Sequence, residues 1–477
     1  MPDFLNAWDR QKFIKYNICP ILENGSIIRL YVCKNSDLSV ISYLSFKKKQ
    51  KITIEYLSEE LLETKVREQF GIHQANNGRS QVSKNHMNET AAENPSIVRL
   101  INGIINTAVS IGASDIHFEP FETRMLCRFR IDGSLRQDRE ITKESVAEAI
   151  ARLKIMSNLD ISEKRRPQDG RIRFNTGSKV VDIRISFLPT DFGEKAVLRI
   201  LDKENLRLDL GLLGLDEAQR ALLEDKIQMP NGMILVTGPT GSGKTTTLYA
   251  MLNHLKSPKL NITTIEDPIE YNLDGINQTH VRPEINLTFG NALRAILRQD
   301  PNIIMVGEIR DRETLDQAIR ASLTGHLVLS TLHTNNSVAT ISRMLDLGAE
   351  SYLIGSTLKL IIAQRLVQTI CPNCKQKDVS VEQQTASRKL GGDANLVVYS
   401  GRGCDYCGNT GFKGRKAIYE FLAIDDKLGT MVSDGANASQ IESYAKTAGF
   451  LSLKLAGLAL IKNGETTPLE VLKVIAG

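Results

Sequence analysis

One octapeptide constrains this chain more than any other feature. Gly238-Pro239-Thr240-Gly241-Ser242-Gly243-Lys244-Thr245 satisfies the pattern GxxxxGK[ST] in full. An apolar strand-like run, 233–237, leads into it, and a helical stretch, 246–255, follows. In that context the glycines let successive backbone N–H groups and a helix N-terminus converge on phosphate oxygens. Lys244 is placed to reach the β- and γ-phosphates, Thr245 to hold Mg²⁺, and Thr246 continues the loop into the helix. A nucleoside triphosphate site is therefore expected, which commits the surrounding residues to an α/β layout.

The rest of the chain supports that layout. Runs at 261–265, 303–306 and 327–331 are short, rich in Ile, Val, Leu and Thr, and each leads through a turn into a helical stretch. Strands alternating with helices predict a parallel sheet covered by helices. Before it, 96–205 mixes a helix beginning at Ser96 and stopped by Gly112, strands at 115–119 and 125–131, a hairpin signal at Asp132-Gly133, a helix over 144–159, and strands at 179–187 and 196–201. That is an α+β pattern. Residues 73–95 turn polar and read as a linker, leaving 1–72 as a small N-terminal domain. Its lysines at 47–49 and 51 read as a solvated loop.

Hydrolysis needs a group that orients or activates water, and the candidates lie at later strand ends. The run 303–306 ends in Gly307-Glu308, so Glu308 carries the carboxylate where a second P-loop element is expected, while Gly307 stands in the place of a magnesium-directing Asp. Glu266, Asp267 and Glu270 follow the strand at 261–265 and would face the same crevice. His326 and His333, two of seven histidines, bracket the strand at 327–331.

Four of the seven cysteines form two CxxC pairs, Cys371/Cys374 and Cys404/Cys407. Chance placement of so few cysteines yields about 0.1 such pairs in a chain of this length. Two knuckles supply four thiolates for a closed, structural Zn²⁺ site; a redox dithiol is the weaker alternative. Cys19, Cys33 and Cys127 lack such partners and read as packing residues.

Composition excludes several classes. With 42% hydrophobic and 24% charged residues the chain is ordinary globular protein, and a net charge of +5 is too diffuse to argue for nucleic acid. No apolar run is long enough to span a bilayer, and no basic n-region precedes an apolar segment at the start, so a cytoplasmic protein is expected.

In combination, the P-loop, the acidic segment 264–271, the Gly307-Glu308 element within 297–311 and the histidine segment 324–334 resemble the Walker A, Asp, Walker B and His boxes of the type II secretion and type IV pilus assembly ATPases. The resemblance runs from about Ser96 to the C-terminus. It implies a RecA-like ATPase domain over 206–477, containing a zinc subdomain at 366–416 and a helical tail, behind a PAS-like second N-terminal domain at 96–205 and a variable first domain. The segments 113–120 and Gly170-Arg171 resemble that second domain. By the same resemblance, Arg184 and Arg199 would reach the nucleotide phosphates, the chain would form a homo-oligomer, a hexameric ring, and ATP with Mg²⁺ would drive it. Its partners would be an inner-membrane platform protein and a membrane-anchored cytoplasmic adaptor, holding it peripherally at the inner membrane. The tetracysteine element is typical of the family's assembly rather than retraction motors. Two competitors stand against this: a nucleic-acid translocase, for which Lys413, Arg415 and Lys416 flank the cysteines but aromatics (5%) are too few for a stacking platform, and a scaffold that uses nucleotide only to assemble.

Overall fold

The computed structural model describes residues 19–23, 26–32, 53–58, 61–62, 65, 94–177, 179–201, 208–393 and 396–475. The lysines at 47–49 and 51, Cys33 and nearly all of the linker lie outside these. The chain divides into two compact units, 1–90 and 91–477. In the first, β1 (Cys19–Glu23) pairs antiparallel with β2 (Ser26–Val32), and β3 (Thr53–Tyr56) runs parallel to β2.

The second unit opens with the helix Pro95–Ser110. Its cap is Asn94, whose side chain accepts from Ser96 N at 3.0 Å, rather than Ser96 itself; Pro95 takes the first helical position, where a missing N–H costs nothing. There follow β4 (Asp115–Pro120), β5 (Arg124–Ile131), β6 (Ser134–Thr142), the helix Lys143–Met156, β7 (Gln168–Asn175), β8 (Val180–Thr190) and β9 (Gly193–Leu201). They form an antiparallel sheet in the order β6-β5-β4-β9-β8-β7. Both helices pack on one face, over Ile116, Phe118, Leu198 and Ile185. Side chains alternate along a strand, so Asp115, His117, Glu119, Arg128, Arg130 and Arg199 share the other face.

A second sheet runs β12-β11-β13-β14-β10-β15-β18. Its strands are β10 (Gly232–Thr237), β11 (Ile262–Glu266), β12 (Asn277–His280), β13 (Ile303–Val306), β14 (Leu327–Leu332), β15 (Leu358–Ile370) and β18 (Phe412–Ala423). The first six are parallel; β18 returns antiparallel on β15. Apolar clusters cover both faces, which is why β13 is an unbroken apolar run and why 233–236 of β10 and 327–329 of β14 are apolar without alternation. The long β15–β18 ribbon was not legible as strands. It carries the cysteine subdomain at its end, with β16 (Lys375–Lys377) paired to β17 (Tyr399–Gly401). Four helices between Asp426 and Ile475 make the expected helical tail.

Candidate nucleotide site and tetracysteine centre

β10 is buried along its whole length and lies between β14 and β15, so its carboxyl end emerges at the middle of the sheet. The P-loop starts there and hands over to the helix Lys244–Leu255, whose cap is Gly243 in the left-handed region. Gly238 has φ +149°, and a Cβ on it would stand 2.6 Å from both the Gln364 carbonyl and Ser242 Oγ. β15 passes beneath this loop. Gln364 on β15 accepts from Thr247 Oγ1 at 2.7 Å, buttressing the helix start from below.

Lys244 Nζ donates to the carbonyls of Gly238 and Pro239, at 2.9 and 3.0 Å. Burial pushes its pKa down to about 8, with the Glu308 carboxylate acting the other way and Arg365 adding to the drop. Ser242 Oγ is buried without a hydrogen-bond partner. A glycine cradle, a half-buried ammonium and an unsatisfied hydroxyl together fit a phosphate chain.

Glu308 follows β13, two strands from β10. The strand ends are clamped there: Gly307 N donates to Ile265 O at 2.7 Å, and Thr331 Oγ1 to Gly307 O at 2.7 Å. The Glu308 carboxylate pairs with Arg310 Nη2 at 2.5 Å through one oxygen and with His333 Nε2 at 3.4 Å through the other. Burial lowers the His333 pKa; neighbouring Lys244 lowers it further and Glu308 opposes. The balance favours the neutral imidazole, whose Nε2 stands 3.4 Å from the carboxylate.

The other candidates divide: Glu266, Asp267 and Glu270 line the same cavity as the P-loop and Glu308, and His326 does not. Glu266 is buried and accepts from Thr264 Oγ1 at 2.6 Å, from Gln278 Nε2 at 3.0 Å and from the Tyr249 hydroxyl. Glu270 is held by Arg184 Nη1 at 3.0 Å. His326 does not join His333: it sits at the opposite end of β14, its Nδ1 3.0 Å from Ala321 O. Arg199 faces the cleft beside Asp115, whereas Arg184 is bound to Glu270 and Ile269 O and is not among the residues lining the cleft. The cleft, about 870 Å³, is walled by the P-loop, Glu308, Arg310 and His333 on one side and by Asp115, Arg130 and Arg199 of the antiparallel sheet on the other. Sequence reasoning assigned no role to Arg310 or Arg130. The proximity of Arg310 to Glu308 in the chain is a signal that could have found the first; strand register alone reveals the second.

The four cysteines converge as their spacing implied. All their sulfurs lie within 4.8 Å of one another. Sγ–Sγ distances are 3.8 Å for Cys371–Cys404, 3.9 Å for Cys374–Cys407 and 3.7 Å for Cys404–Cys407. A tetrahedron with Zn–S bonds of about 2.3 Å has edges of about 3.8 Å, so the donor set fits zinc. Cys407 Sγ also accepts from the N–H groups of Cys404 and Gly411, both at 3.3 Å, which hold its thiol down to about 6 against the cost of burial. Gly401 and Gly411 pass so closely that a Cβ on either would stand 2.1 or 2.3 Å from the other's carbonyl oxygen. Cys127, by contrast, is a buried residue of the antiparallel sheet's core, where burial pushes its thiol up to about 12.

Residues 90–473 match the family model described as type II/IV secretion system protein. The chain belongs to this family. It is 48% identical over 378 residues to "Type II secretion system protein E" of Pseudomonas aeruginosa, covering 79% of this chain and 75% of that one. It is 40% identical over 494 residues to "Type IV pilus assembly ATPase PilB" of Myxococcus xanthus, covering 98% and 86%. Among solved structures, the pilus retraction motor PilT with bound ADP aligns at TM-score 0.53 and 27% identity over 78% of this chain and 96% of that one. The Legionella pneumophila ATPase DotB aligns at TM-score 0.58 and 21% identity over 82% and 98%, a likeness of fold. As a member of the type II/IV secretion family the chain is a P-loop ATPase.

Proposed function

We propose that this chain hydrolyses ATP in the cleft between its two large sheets and uses the resulting domain motion, as a hexameric ring, to drive assembly of a type IV pilus or type II pseudopilus. The observation that carries this is convergence: the phosphate loop, the Glu308–His333 pair and the arginines of the antiparallel sheet wall one cleft, so a change at the γ-phosphate is felt by both domains. The backbone N–H groups of 240–243 and the Lys244 ammonium would hold the β- and γ-phosphates. Thr245 would hold Mg²⁺, which when bound neutralises charge between those phosphates. Glu308 would orient the attacking water, kept in position by Arg310 and His333. Glu266, held by three donors at the cleft wall, anchors the acidic segment, and Glu270 ties that segment to the antiparallel sheet through Arg184. The four cysteines would hold a structural Zn²⁺.

The match to the type II secretion relative covers 79% of this chain, while that to the pilus assembly relative covers 98% and so reaches into the first 90 residues as well. The tetracysteine element supports assembly over retraction. No helix among the described residues is long and apolar enough to cross a membrane; attachment would come through an inner-membrane platform protein and an anchored adaptor.

The test is steady-state ATP hydrolysis by the full chain, with and without single-stranded DNA, for the wild type and Glu308→Gln. DNA-independent turnover that falls by about 10²- to 10⁴-fold in the variant is expected. Turnover unchanged by the substitution would favour a nucleotide-bound scaffold, and strong stimulation by DNA a translocase.

A further inference from the structure

Strand register places one carboxylate and four arginines in a single row across the antiparallel sheet. Asp115 of β4 stands opposite Arg130 of β5 on one side and Arg199 of β9 on the other. Arg199 in turn is opposite Arg184 of β8, and Arg184 opposite Arg171 of β7. Directly opposed residues share a face, and like charges in that position are unfavourable unless an anion offsets them. Within the row Asp115 is that anion. It is 7% exposed, and its two oxygens are divided: Oδ1 accepts from Arg199 Nε at 3.2 Å, and Oδ2 accepts from Ser114 Oγ at 2.8 Å and pairs with Arg130 Nε at 3.5 Å. Arg130 is further fixed by donation from Nη1 to Gly133 O at 3.0 Å.

Of the four arginines, only Arg130 and Arg199 line the cleft. Each spends part of its fork on Asp115, and a guanidinium has five donors in a rigid plane. The remaining N–H groups face a cavity whose far wall is the phosphate loop. Arg128, two residues along the same strand, is different: it is bound to Glu119 at 2.6 Å and does not line the cleft.

We propose that Arg130 contacts the terminal phosphate of the bound triphosphate alongside Arg199, and that Asp115 is the positioning residue that holds both guanidinium groups in line for it. This rests on the reading that ATP binds at the P-loop. One carboxylate shared between the Nε groups of two arginines sets the direction of both guanidinium planes, and it also sets a negative charge close to the phosphates. Removing it therefore has opposite effects on the two steps: repulsion in the bound state is relieved, while alignment for transfer is lost. A diphosphate, lacking the terminal group, is insensitive to both.

The experiment uses the full chain and measures kcat and KM for ATP, and inhibition by ADP, in the wild type, Arg130→Gln, Asp115→Asn, Arg128→Gln and Lys244→Gln. Arg130→Gln is expected to raise KM for ATP at least tenfold with ADP inhibition changed less than threefold. Asp115→Asn is expected to lower kcat at least tenfold while KM for ATP falls severalfold, a split that partial unfolding cannot give, since lost active enzyme lowers kcat at constant KM. Arg128→Gln should stay within twofold throughout. Arg130→Gln with unchanged KM, or weakening ATP and ADP equally, would overturn the phosphate contact; Asp115→Asn losing kcat at constant KM would overturn the positioning role. If Lys244→Gln retains ATP binding, the site reading itself fails; if it loses binding and the Arg130 and Asp115 variants behave as wild type, this inference alone does.

Discussion

Arg184 donates from Nη1 to Glu270 Oε2 at 3.0 Å and from its other terminal nitrogen to the Ile269 carbonyl, linking the antiparallel sheet to the acidic segment that follows β11. Both side chains are partly buried, at 20% and 28% exposure, so the pair is neither a screened surface contact nor a fully desolvated one. Arg184→Gln and Glu270→Gln should therefore be non-additive in thermal or denaturant unfolding, with a coupling of about 1 kcal/mol. Strictly additive effects would mean that the two groups do not meet in solution.

The P-loop glycines are not equivalent. Gly238 combines φ +149° with atoms 2.6 Å from a would-be Cβ, whereas Gly241, at φ +80°, has nothing within 4 Å. Gly238→Ala should cost about 1–3 kcal/mol of stability through strain and overlap, and Gly241→Ala about 1 kcal/mol through strain alone. Denaturant midpoints for the two variants check the order; equal losses would show that the loop relaxes around Gly238.

Lys244 sets a pH dependence. Its ammonium is held near 8 by burial in the free protein, and a phosphate ligand favours the charged form. Below pH 8 the free lysine is already protonated and affinity is flat. As pH rises through 8 the free form loses its proton while the bound form keeps it, so ATP affinity should fall about tenfold by pH 9, with proton uptake on binding. Calorimetry in buffers of differing ionisation heat measures that uptake directly. Proton release, or affinity flat to pH 9, would contradict it.

The tetracysteine centre predicts a metal stoichiometry. About one zinc per chain should be found by elemental analysis of the purified protein, and Cys407→Ser should abolish it and lower the unfolding temperature, since the metal's binding energy contributes to folding. A wild-type protein that is free of zinc with all four thiols titratable would point to another role for the cluster.

Much of the site was legible in the sequence because it is encoded in short segments. The P-loop, Gly307-Glu308 and each CxxC pair specify their backbone geometry within a few residues, through glycine conformations and fixed ligand spacing, so their chemistry survives without knowledge of the fold. The histidines show where this stops. His326 and His333 look alike in the chain, yet the six residues of β14 between them extend for about 20 Å, so one lies at the nucleotide end of the sheet and the other at the far end.

What only the tertiary structure decided is which distant side chains stand opposite one another. Asp115, Arg130 and Arg199 are brought together by strand pairing, and pairing depends on register, which no local pattern of residues states. The same holds for Glu266, whose donors Thr264, Gln278 and Tyr249 come together only once a helix and two strands are packed. The β15–β18 ribbon was missed for a related reason: β15 is buried almost throughout, so it lacks the alternation that marks a half-exposed strand, and its partner lies beyond the whole cysteine subdomain. The sequence by itself determined a phosphate loop and four thiolates at metal-ligand spacing; long-range packing determined which carboxylates and arginines face the phosphate loop.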